Sequence, residues 1–205
     1  MRRPAAAAIL LGAAATLAAG AAHLFLYAPE AAIAPPAALA EAAARVSTST
    51  LPARLAIPAI GVDAPIDPLG IVAGDRMQAP ANFTDVGWYK YGVVPGSPGI
   101  AVLYAHLDNG LGLSGVFKDL DRLKAGDELT LTRKDGATLR FKVSDVETYP
   151  YDAVPPAAIG ESSPGPGPAD PARVVLITCA GEPTHDPSMG FTYDHRLLVT
   201  ATLEP

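Results

Sequence analysis

One cysteine, Cys179, stands in the whole chain of 205 residues, so no intramolecular disulfide can brace the fold. Because it lies far from the N-terminus, a lipid-modified N-terminal cysteine is also excluded. Positive charge is scarce. Setting aside Arg2, Arg3, Arg45, Glu30 and Glu41 leaves 12 basic and 19 acidic residues of the chain's 15 and 21, which excludes a nucleic-acid partner. The four histidines and the carboxylates show no close ligand spacing, so nothing in the sequence calls for a metal or another cofactor. There is no internal repeat.

Charge is missing altogether from Ala5 to Tyr27, behind the basic tip Met1-Arg2-Arg3-Pro4. That stretch is long enough to cross a hydrocarbon core of about 30 Å as a helix. Its insertion energy rests on Ile9, Leu10, Leu11, Leu17, Leu24, Phe25 and Leu26, since alanine is only weakly apolar. Residues 1–28 are therefore expected to be an export segment, either a retained single-pass anchor or a signal peptide cut at one of the small-residue sites between Ala18 and Ala28. Arg2 and Arg3 orient it with the N-terminus inside and the remainder outside the cell membrane. Residues 29–50, rich in Ala and Pro and then in Ser and Thr, read as a flexible linker in which Pro35-Pro36 interrupts any continuous helix.

From Leu51 the texture changes to short apolar or alternating runs separated by Gly, Pro, Asn and Asp, the pattern of strands joined by turns. Strands are expected at 54–57, 64–68, 99–105, 128–133, 138–146, 173–178 and 197–203. Lys134-Asp-Gly-Ala137 supplies a hairpin turn. Val116, Phe117, Leu120 and Leu123 recur at helical spacing within Gly115 to Leu123, the one helix expected in the domain. Many short strands with little helix define an all-β class, sandwich or closed barrel. Ser162-Ser-Pro-Gly-Pro-Gly-Pro168 reads as a low-complexity surface loop.

Three strand-like runs carry chemistry at their ends: Gly99 to His106, Arg173 to Cys179, and the run headed by Arg196. A thiol with a reference pKa of about 8.5 needs help to become the nucleophilic thiolate. Of the histidines, His23 lies in the export segment and His185 in a Pro- and Gly-rich stretch expected to be exposed. His195 abuts Arg196, and alternation lets only one of that pair face the thiol. His106 enters a polar loop from a strand end and is the preferred acid/base. A strand arginine is ordinarily a surface residue beside a carboxylate, here Asp194, yet it can also stabilise an oxyanion without losing its charge. Trp88 and Tyr89 are read as core or groove wall.

Tyr104-Ala-His106-Leu-Asp, Leu176-Ile-Thr-Cys179-Ala-Gly and Tyr193-Asp-His-Arg196-Leu-Leu-Val, in that order, resemble the histidine, Thr-Cys and arginine motifs of the sortases. Pro52-Ala-Arg-Leu-Ala-Ile-Pro-Ala-Ile-Gly61-Val-Asp is similar to the opening strand of their class F group, and Trp88, Pro95-Gly96 and Val116 to Asp127 fall in family order. The likeness covers residues 51–205 as one catalytic domain. It implies an eight-stranded closed β-barrel with one or two short helices. It also implies cleavage of a Leu-Pro-x-Thr-Gly (LPxTG-type) signal between Thr and Gly, with transfer to a cell-wall amine. Carried over by position, Cys179 is the nucleophile, His106 the acid/base and Arg196 the oxyanion or substrate stabiliser. Residues 182–192 do not align with the family residue by residue. Two other readings remain open. An L,D-transpeptidase-like cell-wall enzyme would carry its histidine close before the cysteine, and a non-enzymatic, surface-anchored binding domain would bury the thiol as core.

Overall fold

A computed structural model of the chain describes residues 31–35, 37, 47–72, 76–160, 167, 170–187 and 190–205. The expected membrane segment 5–27 and His23 lie outside the described residues, as do most of 29–46 and, apart from Gly167, the insert 162–168. Among the described residues no helix is long and apolar enough to cross a membrane.

Ten strands form in chain order: β1 (Pro52–Ile57), β2 (Val62–Leu69), β3 (Ile71–Val72), β4 (Arg76–Met77), β5 (Val86–Tyr89), β6 (Gly99–Tyr104), β7 (Glu128–Arg133), β8 (Thr138–Pro150), β9 (Ala172–Asp186) and β10 (Gly190–Leu203). Eight of them close a barrel in the order β1-β2-β5-β6-β9-β10-β8-β7, and β3 and β4 pair separately. Neighbours are antiparallel except for two parallel pairs, β2 with β5 and β6 with β9. Closure through β7 and β1 leaves the barrel without a free edge.

Alternating side chains explain the packing. Leu55, Ile57, Leu103, Leu129, Leu131, Phe141, Val174, Leu176, Leu197 and Val199 point inward and join Trp88 and Phe117 in the barrel core. The intervening residues of β6, β9 and β10 are apolar as well. Ile100, Val102, Val175 and Leu198 form a second cluster on the outer face, covered by Val154, Ala158 and Ile159 near the short 3-10 turn Pro156–Ile159. A strand covered on both faces reads as a continuous apolar run, which is why Gly99–Tyr104 and Arg173–Thr178 stand out in the sequence. Trp88 is core, with its indole N–H donating to the Val93 carbonyl at 3.1 Å.

The expected strands all form, several of them longer than the sequence indicates. β9 and β10 continue as a long hairpin through the stretch read as a loop, so His185 lies on a strand opposite Phe191, although exposed. β5 escaped the sequence reading because it is four residues long and contains a glycine. At Gly87 an added Cβ would lie 2.9 Å from the Tyr104 ring, so the glycine lets that ring pack flat on the strand.

The expected helix at Gly115–Leu123 is not helical beyond a 3-10 turn at Leu120–Arg122. Its first donors are committed elsewhere: Val116 N–H to the Phe83 carbonyl at 2.7 Å and Phe117 N–H to the His106 carbonyl at 3.2 Å. Those bonds anchor its start, and downstream the Lys118, Leu120, Arg122 and Leu123 N–H groups each turn back to the carbonyl three residues before, closing successive turns in place of i to i+4 bonds. Its apolar spacing survives, because Phe117, Leu120 and Leu123 still enter the core. Short stretches of the expected linker also touch the barrel: Ile33 N–H donates to the Ile71 carbonyl, and the Ser49 and Leu51 carbonyls accept from Asp135 and Lys134 of the β7–β8 turn. Phe117→Ala should cost about 3–5 kcal/mol in urea unfolding, the usual result of emptying a closed aromatic site. A loss under about 1 kcal/mol would mean the turn does not plug the barrel.

Candidate active site

The parallel pairing of β6 with β9 decides where the cysteine and its candidate base stand. Tyr104 pairs with Ile177, Ala105 N–H donates to the Ile177 carbonyl at 3.1 Å, and the buried Thr178 hydroxyl donates to the Ala105 carbonyl at 2.9 Å. His106 and Cys179 each follow two residues beyond the Tyr104–Ile177 pair, at equivalent positions on neighbouring chain segments. On the other side of β9, Arg196 of β10 pairs directly with Cys179. Val174 and Leu176 face the barrel core whereas Val175 and Ile177 face outward, so alternation puts Cys179 on the outer face together with Arg196. The three residues singled out in the sequence are thus brought side by side, His106 just past the end of β6 and Cys179 and Arg196 in mid-strand, because β9 and β10 run on beyond the stretches that the sequence marks as strand ends.

His106 is held by its surroundings. Its ring stacks on Phe83 with centroids 4.4 Å apart, and Nε2 lies 2.9 Å from the Pro80 carbonyl. A carbonyl only accepts, so this hydrogen bond requires the proton on Nε2 and leaves Nδ1 as the nitrogen available for proton exchange. The chain returns past His106 at Gly115, where an added Cβ would lie 2.0 Å from the His106 carbonyl oxygen. Only glycine permits that approach.

Arg196 is oriented by its own strand. Its Nη1 donates to the Tyr193 and His195 carbonyls at 2.9 and 2.7 Å, and its Nη2 to Thr192 Oγ1 at 3.0 Å. The guanidinium lies over the Tyr151 ring, 5.6 Å from the centroid. Asp194, the neighbour considered as its partner, instead bonds His195 Nδ1 at 2.7 Å and accepts from Glu182 N–H at 2.8 Å, contacts that hold its carboxyl below the usual range. These bonds fasten a bulge. Between Tyr193 and His195 the register on β9 advances from Pro183 to Ala180, with Gly181 at φ 82°. An added Cβ at Gly181 would sit 2.1 Å from Asp194 Oδ1.

Burial pushes the Cys179 thiol above its ordinary value; Arg196 opposes that shift, Asp108 adds to it, and a hydrogen bond with Thr192 lowers it. Asp108 lies in the loop after His106, where its Oδ1 accepts from Tyr193 Oη at 2.7 Å and Gly110 N–H at 2.9 Å. Asp108 and Tyr193 are contained in the sequence motifs without having been singled out. Thr192 falls in the stretch that could not be aligned, and Phe83 and Tyr151 carry no local signal. A depression of about 310 Å³ lined by Ile60, Val62, Phe83, Gly115, Val116 and Lys118, among others, touches Phe83 but reaches neither Cys179 nor Arg196. Among the described residues no group of three His, Cys, Asp or Glu is placed to hold a metal.

Gly181→Ala should destabilise the chain by about 1–3 kcal/mol in chemical denaturation, from positive-φ strain and the clash with Asp194. Wild-type stability would show that the bulge is not fixed there. For the thiol, burial disfavours the charged form, so the proton is retained to higher pH than in a free cysteine. Alkylation of folded Cys179 should accordingly reach half its limiting rate above about pH 8.5, moving down toward that value when the chain is unfolded in urea. A folded-state midpoint below the unfolded one would reverse the order of burial and charge.

Several solved structures share this fold. Sortase C-1 from Actinomyces oris superimposes with a TM-score of 0.58 at 23% identity, covering 91% of this chain and 97% of that one. A Group B Streptococcus Pilus Island 1 sortase C2 gives 0.52 at 24% identity over 75% and 73%. Sortase A from Corynebacterium diphtheriae gives 0.52 at 20% over 76% of this chain, which spans 61% of that one. Identities this low speak for the architecture. No curated protein sequence matches the chain. The sortase domain, as a sequence family, matches residues 55–204, nearly all of the barrel with His106, Cys179 and Arg196 inside the match, and the chain therefore belongs to the sortase family.

Proposed function

We propose that the chain is an exported, membrane-anchored cysteine transpeptidase that cleaves an LPxTG-type signal between Thr and Gly and passes the acyl group to an amine of the cell wall. The observation that carries this reading is the alignment of an imidazole just past β6, a thiol on β9 and a guanidinium on β10 across three neighbouring segments of a sortase barrel. The motif likeness of Pro52 to Asp63 supports class F. The charge-free segment Ala5 to Tyr27 behind Arg2 and Arg3 supports a single membrane span with the catalytic domain outside the cell.

In this scheme Cys179 passes its proton to His106 Nδ1 and attacks the carbonyl carbon of the signal's threonine, and Arg196 donates to the developing oxyanion. His106, acting through Nδ1, protonates the departing glycine nitrogen as the C–N bond breaks, leaving a thioester on Cys179. An incoming amine then gives its proton to His106, forms the new amide and releases the thiol. Burial pushes the thiol's pKa up, so attack needs a base to take its proton. Arg196 is already turned to its task by the Tyr193 and His195 carbonyls, so little ordering cost falls on the transition state.

Mass spectrometry of the full chain with an LPxTG peptide and an amine acceptor tests the scheme. Cleavage between Thr and Gly with capture of the amine is the expected result, absent in Cys179→Ala. Arg196→Lys keeps the charge but loses the planar fork, and the expected fall in kcat/KM is about 100-fold or more. Undiminished turnover in Cys179→Ala would remove the thiol from the chemistry, and wild-type kinetics in Arg196→Lys would do the same for the guanidinium.

A further inference from the structure

Thr192 is more than nine-tenths buried, and Thr178 is the other buried polar residue among those described. A buried hydroxyl must place its hydrogen bonds inside the protein. Thr178 spends its proton on the Ala105 carbonyl, as described above. Thr192 differs, because its Oγ1 accepts from Arg196 Nη2 at 3.0 Å. A guanidinium has no lone pair to offer, so the Thr192 proton is turned elsewhere. Its hydroxyl also acts on Cys179, the residue paired with Arg196 across the two strands, in the direction that lowers the thiol's pKa. With one Oγ1 lone pair taken by the arginine, donation from Oγ1 to sulfur is the arrangement that uses the hydroxyl fully.

We infer that Thr192 is a fourth member of the catalytic group, its hydroxyl donating to the Cys179 sulfur while accepting from Arg196, so that one buried side chain aligns the nucleophile with the oxyanion donor and stabilises the thiolate. This rests on the reading of Cys179 as the nucleophile. A donor that meets the sulfur as charge develops works in the same sense as the Arg196 charge and against burial and Asp108. The other groups around the thiol are already engaged: His106 with Pro80 and Phe83, Tyr193 with Asp108, and Tyr151 with Asp186 at 2.9 Å. They stay in place when only the Thr192 hydroxyl is removed.

The test is the pH dependence of iodoacetamide alkylation of Cys179 in the full chain, run beside kcat and KM for the LPxTG peptide. Thr192→Val, isosteric but without the hydroxyl, should move the alkylation midpoint to higher pH. It should also slow the reaction near neutral pH about tenfold, the usual weight of a hydrogen bond to a charged group. In turnover kcat should fall with KM little changed. Thr192→Ser should stay within about twofold of wild type, since it restores the donor. Thr192→Ala gives the same readout if the valine variant fails to fold. An alkylation midpoint unmoved in both hydroxyl-free variants overturns the assignment. Peptide cleavage surviving Cys179→Ala would instead strike at the nucleophile itself, so the two failures are distinguishable.

Discussion

Everything at the site depends on the parallel alignment of β6 and β9. Parallel neighbours cannot be joined by a tight turn, and between these two the chain builds β7, β8 and the 3-10 turn Pro156–Ile159 before returning. The benefit is directional. Parallel strands advance in the same direction, so the residue that leaves the end of β6 emerges beside its counterpart on β9, which runs on to Asp186. Thr178 locks that alignment one step before the reactive residues, joining positions 73 residues apart with a buried hydrogen bond. Because both strands are covered on both faces, their register cannot slip without exposing Val102, Val175 or Leu176.

The third residue is placed by a different device. β9 and β10 are antiparallel neighbours, and a regular ladder would leave Arg196 to choose its own rotamer. Gly181 interrupts the ladder, and Asp194, His195 and Glu182 tie the interruption down. Two carbonyls from this stretch, with the Thr192 hydroxyl, receive the guanidinium. An arginine held this way keeps its charge next to Cys179 at the edge of the barrel, where a freely rotating side chain would be drawn out into water.

The thiol sits between opposing influences, with burial and the Asp108 carboxylate retaining its proton and Arg196 and Thr192 favouring its release. An exposed thiolate in an oxidising compartment is readily lost to oxidation, and a buried thiol is spared. The same network ties Asp108, through the Tyr193 hydroxyl, to the strand that carries Arg196, joining the loop after His106 to the first half of β10. Phe191 strengthens that union by packing its ring against Gly110 of the loop, where an added Cβ would come within 2.5 Å of it.

Much of the architecture was legible because it is written locally. The doubly apolar runs at 99–105 and 173–178 announce buried strands, and the Asp135-Gly136 turn announces the β7–β8 hairpin. The motif likeness singles out Cys179, His106 and Arg196 among all the candidates. Less legible were β5, short and interrupted by Gly87, and the extension of the β9–β10 hairpin through a stretch rich in Pro and Gly. The Gly115–Leu123 segment shows why spacing misleads: its apolar period was read correctly, but its later N–H groups close i to i+3 turns and its start is anchored to Phe83 and His106, partners that local sequence does not reveal. By itself the sequence determined the residue types and the strand-rich class, which follow from composition and alternation, and the three candidate side chains, which follow from the motif likeness. Tertiary structure alone decided which hydroxyl accepts from Arg196, which nitrogen of His106 is free and which carbonyls orient Arg196. Those relations are distances between residues far apart in the chain, and they exist only once the barrel has closed.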